Sequence, residues 1–164
     1  MSDLPPPASP LFLREPEVRR GIELLYFGYS DLVGEADSLL VDTVFGRAHH
    51  RALYFIAQRP GLSVGDLLRL LRITKQSLSR VLKDLQREGL LEITPGMHDR
   101  RQRLLTLTDA GLRFEHELFE RLRQRMAAAY AAAGQEAVSG FWTVLASLLP
   151  ADRRRDAIPG KPAA

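Results

Sequence analysis

The 164 residues include no cysteine, which excludes disulfides, cysteine-based metal sites and thiol redox sensing together. No apolar run approaches the roughly 20 residues a bilayer-spanning helix needs, and the N-terminus has neither a basic stretch nor an apolar signal core. A cytoplasmic protein without membrane contact is therefore expected. Glycine-rich phosphate loops are missing, and Ser77, Ser79 and the histidines make no nucleophile-and-base arrangement, so neither catalysis nor a cofactor is expected. Of the four histidines, His49, His50, His98 and His116, only the first two are close in sequence. Consecutive helical residues point roughly 100° apart, so this pair offers no ready bidentate site and no metal is expected. Excess charge is also scarce: 23 Lys and Arg face 20 Asp and Glu, a net of +3. Such a total does not by itself imply a polyanionic partner.

The charge is unevenly placed, however. Residues 55 to 108 carry 10 basic side chains against 5 acidic ones, whereas residues 1 to 50 carry 4 against 8. A segregated basic segment produces a local field suited to an anionic surface and predicts strongly salt-dependent binding. Inside it, Gly61 to Gly111 reads as two short amphipathic helices, a polar-then-basic loop and a Thr-rich strand. The first helix, about 63 to 71, takes Ser63 as its cap and buries Leu67, Leu68 and Leu71. The second, about 74 to 88, buries Leu78, Val81, Leu82 and Leu85 on one side. Its other side is Lys75, Gln76, Ser77, Ser79, Arg80 and Lys83, with Thr74 at its start. Short polar and long basic side chains on the first turns of a helix match base edges and flanking phosphates of the DNA major groove. Gly89 ends this helix, Leu90 to Ile93 gives a short strand, and Pro95 and Gly96 open a turn whose tip is Met97 to Arg100. The return strand runs from Arg103 to Leu107.

The flanks read as helices around this segment. Pro16 suits a first helical turn, and Val18, Ile22, Leu25, Tyr29 and Leu32 recur at helical spacing to about Asp37. A helix from Gly46 to about Arg59 stops at Pro60 and Gly61. After Thr108 as cap, a long helix reaches about Ala133, and a last one spans about 135 to 149. The expected organisation is an N-terminal arm at 1–15, a dimerisation helix and connector at 16–45, a DNA-binding domain at 46–108, C-terminal dimerisation helices at 109–150 and a flexible tail at 151–164. The apolar stripes of the outer helices extend past what the small central domain covers. The economical arrangement packs them against the same elements of a second subunit, in a C2 homodimer that presents its two reading helices about one DNA turn apart.

The run DLLRLLRITKQSLSRVLKDLQREGLLE followed by DRRQRLLTLTDAG resembles the MarR family of transcription regulators, dimeric winged helix-turn-helix proteins. The resemblance covers roughly residues 17 to 149, and its most specific part is the Asp-x-Arg wing (Asp99, Arg101) leading into Leu-Thr-x-x-Gly (Leu107, Thr108, Gly111). It implies a mainly α fold: a winged helix-turn-helix with a small wing of two or three strands and a helical dimerisation region from both termini. It also implies that Thr74 to Arg80 meet the major groove, that Arg101 reaches the minor groove or its backbone, and that Asp99 structures the wing through ion pairs with nearby arginines. Arg100 and Arg103 join this wing contact set. One departure is Arg72, at a turn position the family often fills with Gly; a left-handed residue there costs about 1 kcal/mol. Members of the family often bind small aromatic acids or other hydrophobic effectors in a crevice between the dimer helices and the winged domain, which Tyr26, Tyr29, Phe45, His49 and Phe55 would line here.

The expected function is sequence-specific binding of double-stranded DNA by a homodimeric repressor at a pseudo-palindromic operator. Two other readings remain open at this point: an architectural DNA-binding protein without sequence preference, and a winged-helix adaptor that docks on another protein.

Overall fold

The computed structural model describes residues 8–97 and 99–157, without the side chains of 155–157. Its elements are α1 (Glu15–Asp37), α2 (Arg47–Gln58), β1 (Leu62–Ser63), α3 (Val64–Leu71), α4 (Lys75–Arg87), β2 (Leu91–Pro95), β3 (Arg103–Leu107), α5 (Asp109–Ala133), α6 (Gln135–Leu148) and α7 (Ala151–Ala157). The expected mainly α architecture with a small wing is present. The sheet order is β1-β3-β2, antiparallel throughout, with Leu62 opposite Leu105 and Ile93 opposite the same residue on the other side.

Capping residues set where the central helices begin. Ser63 accepts the Asp66 backbone N–H, Thr74 that of Ser77, and Thr108 that of Gly111, so one hydroxyl at each start satisfies a donor that has no partner within the helix. Between α3 and α4 the chain turns through Arg72, whose φ of 50° and ψ of 43° are left-handed, as the turn position implied. Leu78, Val81, Leu82 and Leu85 of α4 are all buried. On α3 the pattern differs from expectation: Leu67 and Leu71 are buried, but Leu70 is buried where Leu68 is only half-buried. Leu68 still packs against the core, whereas Leu70 is buried outside the core cluster. With Leu53 and Ile56 of α2, Leu91, Leu105 and Leu107 of the sheet and Leu118 of α5, the residues Leu67, Leu71, Leu78, Val81, Leu82 and Leu85 make one core. Each fully buried leucine in it contributes roughly 2–3 kcal/mol relative to exposure.

The outer helices are covered far less. On α1, Val18, Ile22, Leu25, Tyr26, Phe27 and Tyr29 are exposed, and α6 has no buried residue at all, with Phe141, Trp142, Val144 and Leu148 open to solvent. Two details lie outside the sequence reading. The segment expected to be a tail from 151 begins with the helix α7, where Arg153 donates to the Leu70 carbonyl at 2.9 Å. The first seven residues of the expected arm lie outside the described residues. Among the described residues no helix is long and apolar enough to cross a membrane.

Candidate nucleic-acid interface

The local fold leaves one side of α4 facing away from the core. Lys75, Gln76, Ser77, Ser79, Arg80 and Lys83 are all exposed, and with Asp84 and Arg87 they line a shallow concavity of about 860 Å³. Thr74 and Ser77 are partly committed to the cap: the Thr74 hydroxyl accepts the Ser77 N–H at 3.1 Å and donates to the Ser77 hydroxyl at 2.8 Å. Gln76, Ser79, Arg80, Lys75 and Lys83 make no side-chain hydrogen bond within the described residues. The electrostatics of the segment sort by position. Arg69 is neutralised by Asp66 at 2.6 Å and Arg87 by Asp84 and Glu88, both at 3.1 Å. Among the described residues Arg72, Lys75, Arg80 and Lys83, together with Arg100, Arg101 and Arg103 of the wing, have no ion-pair partner. Unpaired cations on a surface keep their charge available for phosphates.

The wing is the hairpin between β2 and β3. Its neck is closed by Gly96 N–H to the Gln102 carbonyl at 2.9 Å and Gln102 N–H to the Asp99 carbonyl at 3.0 Å. A Cβ on Gly96 would stand 2.7 Å from that Asp99 carbonyl oxygen, so the turn requires glycine. Asp99 holds the tip through the backbone: its Oδ1 accepts the Arg101 N–H at 2.9 Å. It forms no ion pair with an arginine among the described residues, unlike the arrangement the resemblance implied; two residues apart in a tight turn, the backbone N–H is nearer than any guanidinium. Arg101 lies in the turn and Arg103 begins β3, so strand alternation governs Arg103 but not Arg101. His98, also expected at the tip, lies outside the described residues.

A second concavity, of about 470 Å³, opens between α1, α2 and α5 and is lined by Tyr29, Val33, Arg47, His50, Arg51, Tyr54, Phe55 and Leu122. Of the five crevice residues read from the sequence, Tyr29 and Phe55 line it. Phe45 and His49 pack inward instead, their rings 5.3 Å apart, with Phe45 5.6 Å from Phe114 on α5. Tyr26 is exposed beside Phe27, one helical turn from the opening. Arg47, His50, Arg51 and Tyr54 were not among the expected crevice residues, although their spacing along α2 at three and four residues puts them on one face with Phe55. Burial lowers the His50 pKa, against a smaller opposing effect of Asp37, so His50 is neutral at pH 7. Arg47 is held by Asp37 at 2.7 Å, and this pairing raises its pKa. Among the described residues no group of three or more His, Cys, Asp or Glu is placed to hold a metal ion.

A helix pair on a three-stranded sheet, with an outward polar and basic second helix and a basic hairpin beside it, defines a winged helix-turn-helix DNA-binding protein. Comparison with known proteins narrows the class. The MarR family model matches residues 45–102. Over 145 residues the chain is 48% identical to the HTH-type transcriptional regulator PetP of Rhodobacter capsulatus, covering 88% of this chain and 87% of that protein. Among solved structures, a MarR family protein from Bacillus stearothermophilus superposes with a TM-score of 0.67 at 19% identity, over 83% of this chain and 95% of that one. NadR in complex with 4-hydroxyphenylacetate does so with a TM-score of 0.61 at 22% identity, over 90% and 97%. At these identities the two structures bear on the fold alone. The chain belongs to the MarR family and is a DNA-binding transcription regulator, not an enzyme.

Proposed function

We propose that the protein acts as a homodimeric repressor that reads a pseudo-palindromic operator, with α4 in successive major grooves and the wing on the adjacent backbone or minor groove. The observation that carries this reading is the exposed face of α4, where hydrogen-bonding Gln76 and Ser79 stand between the unpaired cations Lys75, Arg80 and Lys83. Base-edge groups flanked by phosphate anchors favour sequence-specific reading over the architectural alternative. The exposed apolar faces of α1 and α6 support a second copy as their cover, since contiguous apolar surface of that extent on a soluble chain marks an interface.

Selection from random duplexes tests both parts. An enriched motif with two half-sites about one helical turn apart is the expected outcome; enrichment of nothing would remove specific reading, and a single half-site would remove the dimeric geometry. Arg80→Ala and Lys83→Ala should weaken selected and random DNA alike, whereas substitution of Gln76 should change the preferred base.

The crevice between α1, α2 and α5 is proposed as the site of a small aromatic effector. Tyr29, Tyr54 and Phe55 offer ring surface, and Arg51, exposed and without an ion-pair partner among the described residues, stands on the same wall to receive a carboxylate. Titration with 4-hydroxyphenylacetate, the compound bound by NadR, and release of DNA on its addition would test this; Arg51→Ala should weaken the binding.

A further inference from the structure

Asp84 is anomalous on the reading helix, a carboxylate in the same concavity as Lys75, Arg80, Lys83 and Arg87. A carboxylate facing phosphates is repelled, yet this one is committed on both oxygens: Oδ1 pairs with the exposed Arg87 at 3.1 Å, and Oδ2 points toward the protein interior. Only 18% of its side chain is exposed, and its Oδ2 lies 3.3 Å from Nε2 of His49, a buried residue on α2. The other ring nitrogen settles the direction of that contact. His49 Nδ1 accepts the Gly46 backbone N–H at 3.1 Å, closing the first turn of α2. A backbone N–H only donates, so Nδ1 is the unprotonated nitrogen and Nε2–H donates to Asp84. The ring is itself held in place by Phe45, which packs in turn on Phe114 of α5. The neighbouring His50 lines the crevice.

We infer that His49 is a positioning residue for DNA recognition: through Asp84 it pins the middle of α4 to the buried helix α2 and sets the orientation in which the polar face of α4 meets the groove. Hydrophobic contacts along Leu78, Val81, Leu82 and Leu85 hold α4 against the core and set its rotation coarsely, whereas a directional contact is needed to fix it finely. A charge-assisted hydrogen bond on the side of the helix, between its apolar stripe and its basic face, supplies that contact. The inference rests on the reading that α4 is the groove helix.

The experiment measures the ratio of affinities for the selected duplex and for random DNA in the full-length protein, with folding checked by circular dichroism. Loss of the latch in Asp84→Ala should lower this ratio roughly five- to tenfold, somewhat below the full scale of a hydrogen bond to a charged group because the contact is long at 3.3 Å. Charge alone predicts tighter binding to both duplexes and an unchanged ratio, since removing a carboxylate from a basic face strengthens binding to any DNA alike. Asp84→Asn, which keeps an acceptor for Nε2–H, should restore most of the ratio. His49→Asn places an amide oxygen where Nδ1 was, preserving the α2 cap, but ends short of Asp84; it should match Asp84→Ala, and the double variant should be no worse than either. An Asp84→Ala protein that reads the selected duplex as well as the parent, or an Asp84→Asn protein that loses as much as Asp84→Ala, overturns the latch. If Arg80→Ala leaves all DNA binding unchanged, the failure lies instead with the placement of α4 in the groove.

Discussion

Replacing Thr108 by valine tests how the DNA-binding half is joined to the long helix. The Thr108 hydroxyl accepts the Gly111 N–H at 3.0 Å, capping α5, and donates to the Gly89 carbonyl at 2.7 Å, at the exit of α4. The backbone reinforces the same junction, with Thr108 N–H on the Leu90 carbonyl at 3.1 Å. Valine keeps the volume and β-branching but loses both hydroxyl bonds. Loss of the N-cap costs about 1 kcal/mol. The bond to Gly89 adds roughly 0.5–1 kcal/mol, toward the low end because the site is partly exposed to water that replaces it. The expected destabilisation is therefore about 1.5–2 kcal/mol from these two contributions. Urea denaturation followed by far-ultraviolet circular dichroism measures it, with parent and variant at the same protomer concentration so that association does not masquerade as stability. Thr108→Ser, which retains the hydroxyl, is the control and should lose well under half as much. If valine and serine variants unfold together, or valine costs less than about 0.5 kcal/mol, the hydroxyl does not join the two halves and the assigned energies are wrong.

Gly111→Ala should destabilise more severely than any surface substitution, because its Cβ would collide with the Leu90 carbonyl, a backbone atom that cannot swing aside; a variant with parental stability in the same urea experiment refutes the close approach. Arg72→Gly should leave stability unchanged or raise it by up to about 1 kcal/mol by relieving the left-handed backbone, while flattening the salt dependence of DNA binding if the guanidinium meets a phosphate; a clear fall in thermal midpoint contradicts this. Burial raises the pKa of Glu115 on α5 above its ordinary value of 4.5, with His116 a smaller opposing influence. The folded state then holds this proton more tightly than the unfolded one, so the Glu115 contribution to stability declines as pH rises from about 4.5 through the folded-state pKa. Glu115→Gln should accordingly stabilise the protein at neutral pH and have little effect in acid, and an equal effect at both pH values would show that burial of the charge is not the cause.

The divide between what was legible in the chain and what was not follows the range of the forces involved. Local signals were sufficient for the central elements, though not for α7. The cap residues Ser63 and Thr108, the helix start near Thr74, the 3.6-residue period of Leu78, Val81, Leu82 and Leu85, and the alternation from Arg103 to Leu107 each act within a few residues, and the structure reproduces them. The outward basic face of α4 follows from the same period, since burying one side of a helix exposes the other. The resemblance flagged Thr108 and Gly111 as a motif, but the reason appears only when α5 meets the exit of α4, where a hydroxyl must reach Gly89 and no side chain fits against Leu90. His49 shows the limit most clearly. By sequence it was one aromatic among several candidates for a crevice; in the fold its ring faces inward to Asp84, thirty-five residues away, and its neighbour His50 takes the crevice instead. One residue along a helix turns a side chain by about 100°, and which of two adjacent histidines faces the cavity depends on how α2 is rotated against α4 and α5. Many weak apolar contacts from distant parts of the chain set that rotation together, and no local pattern encodes it.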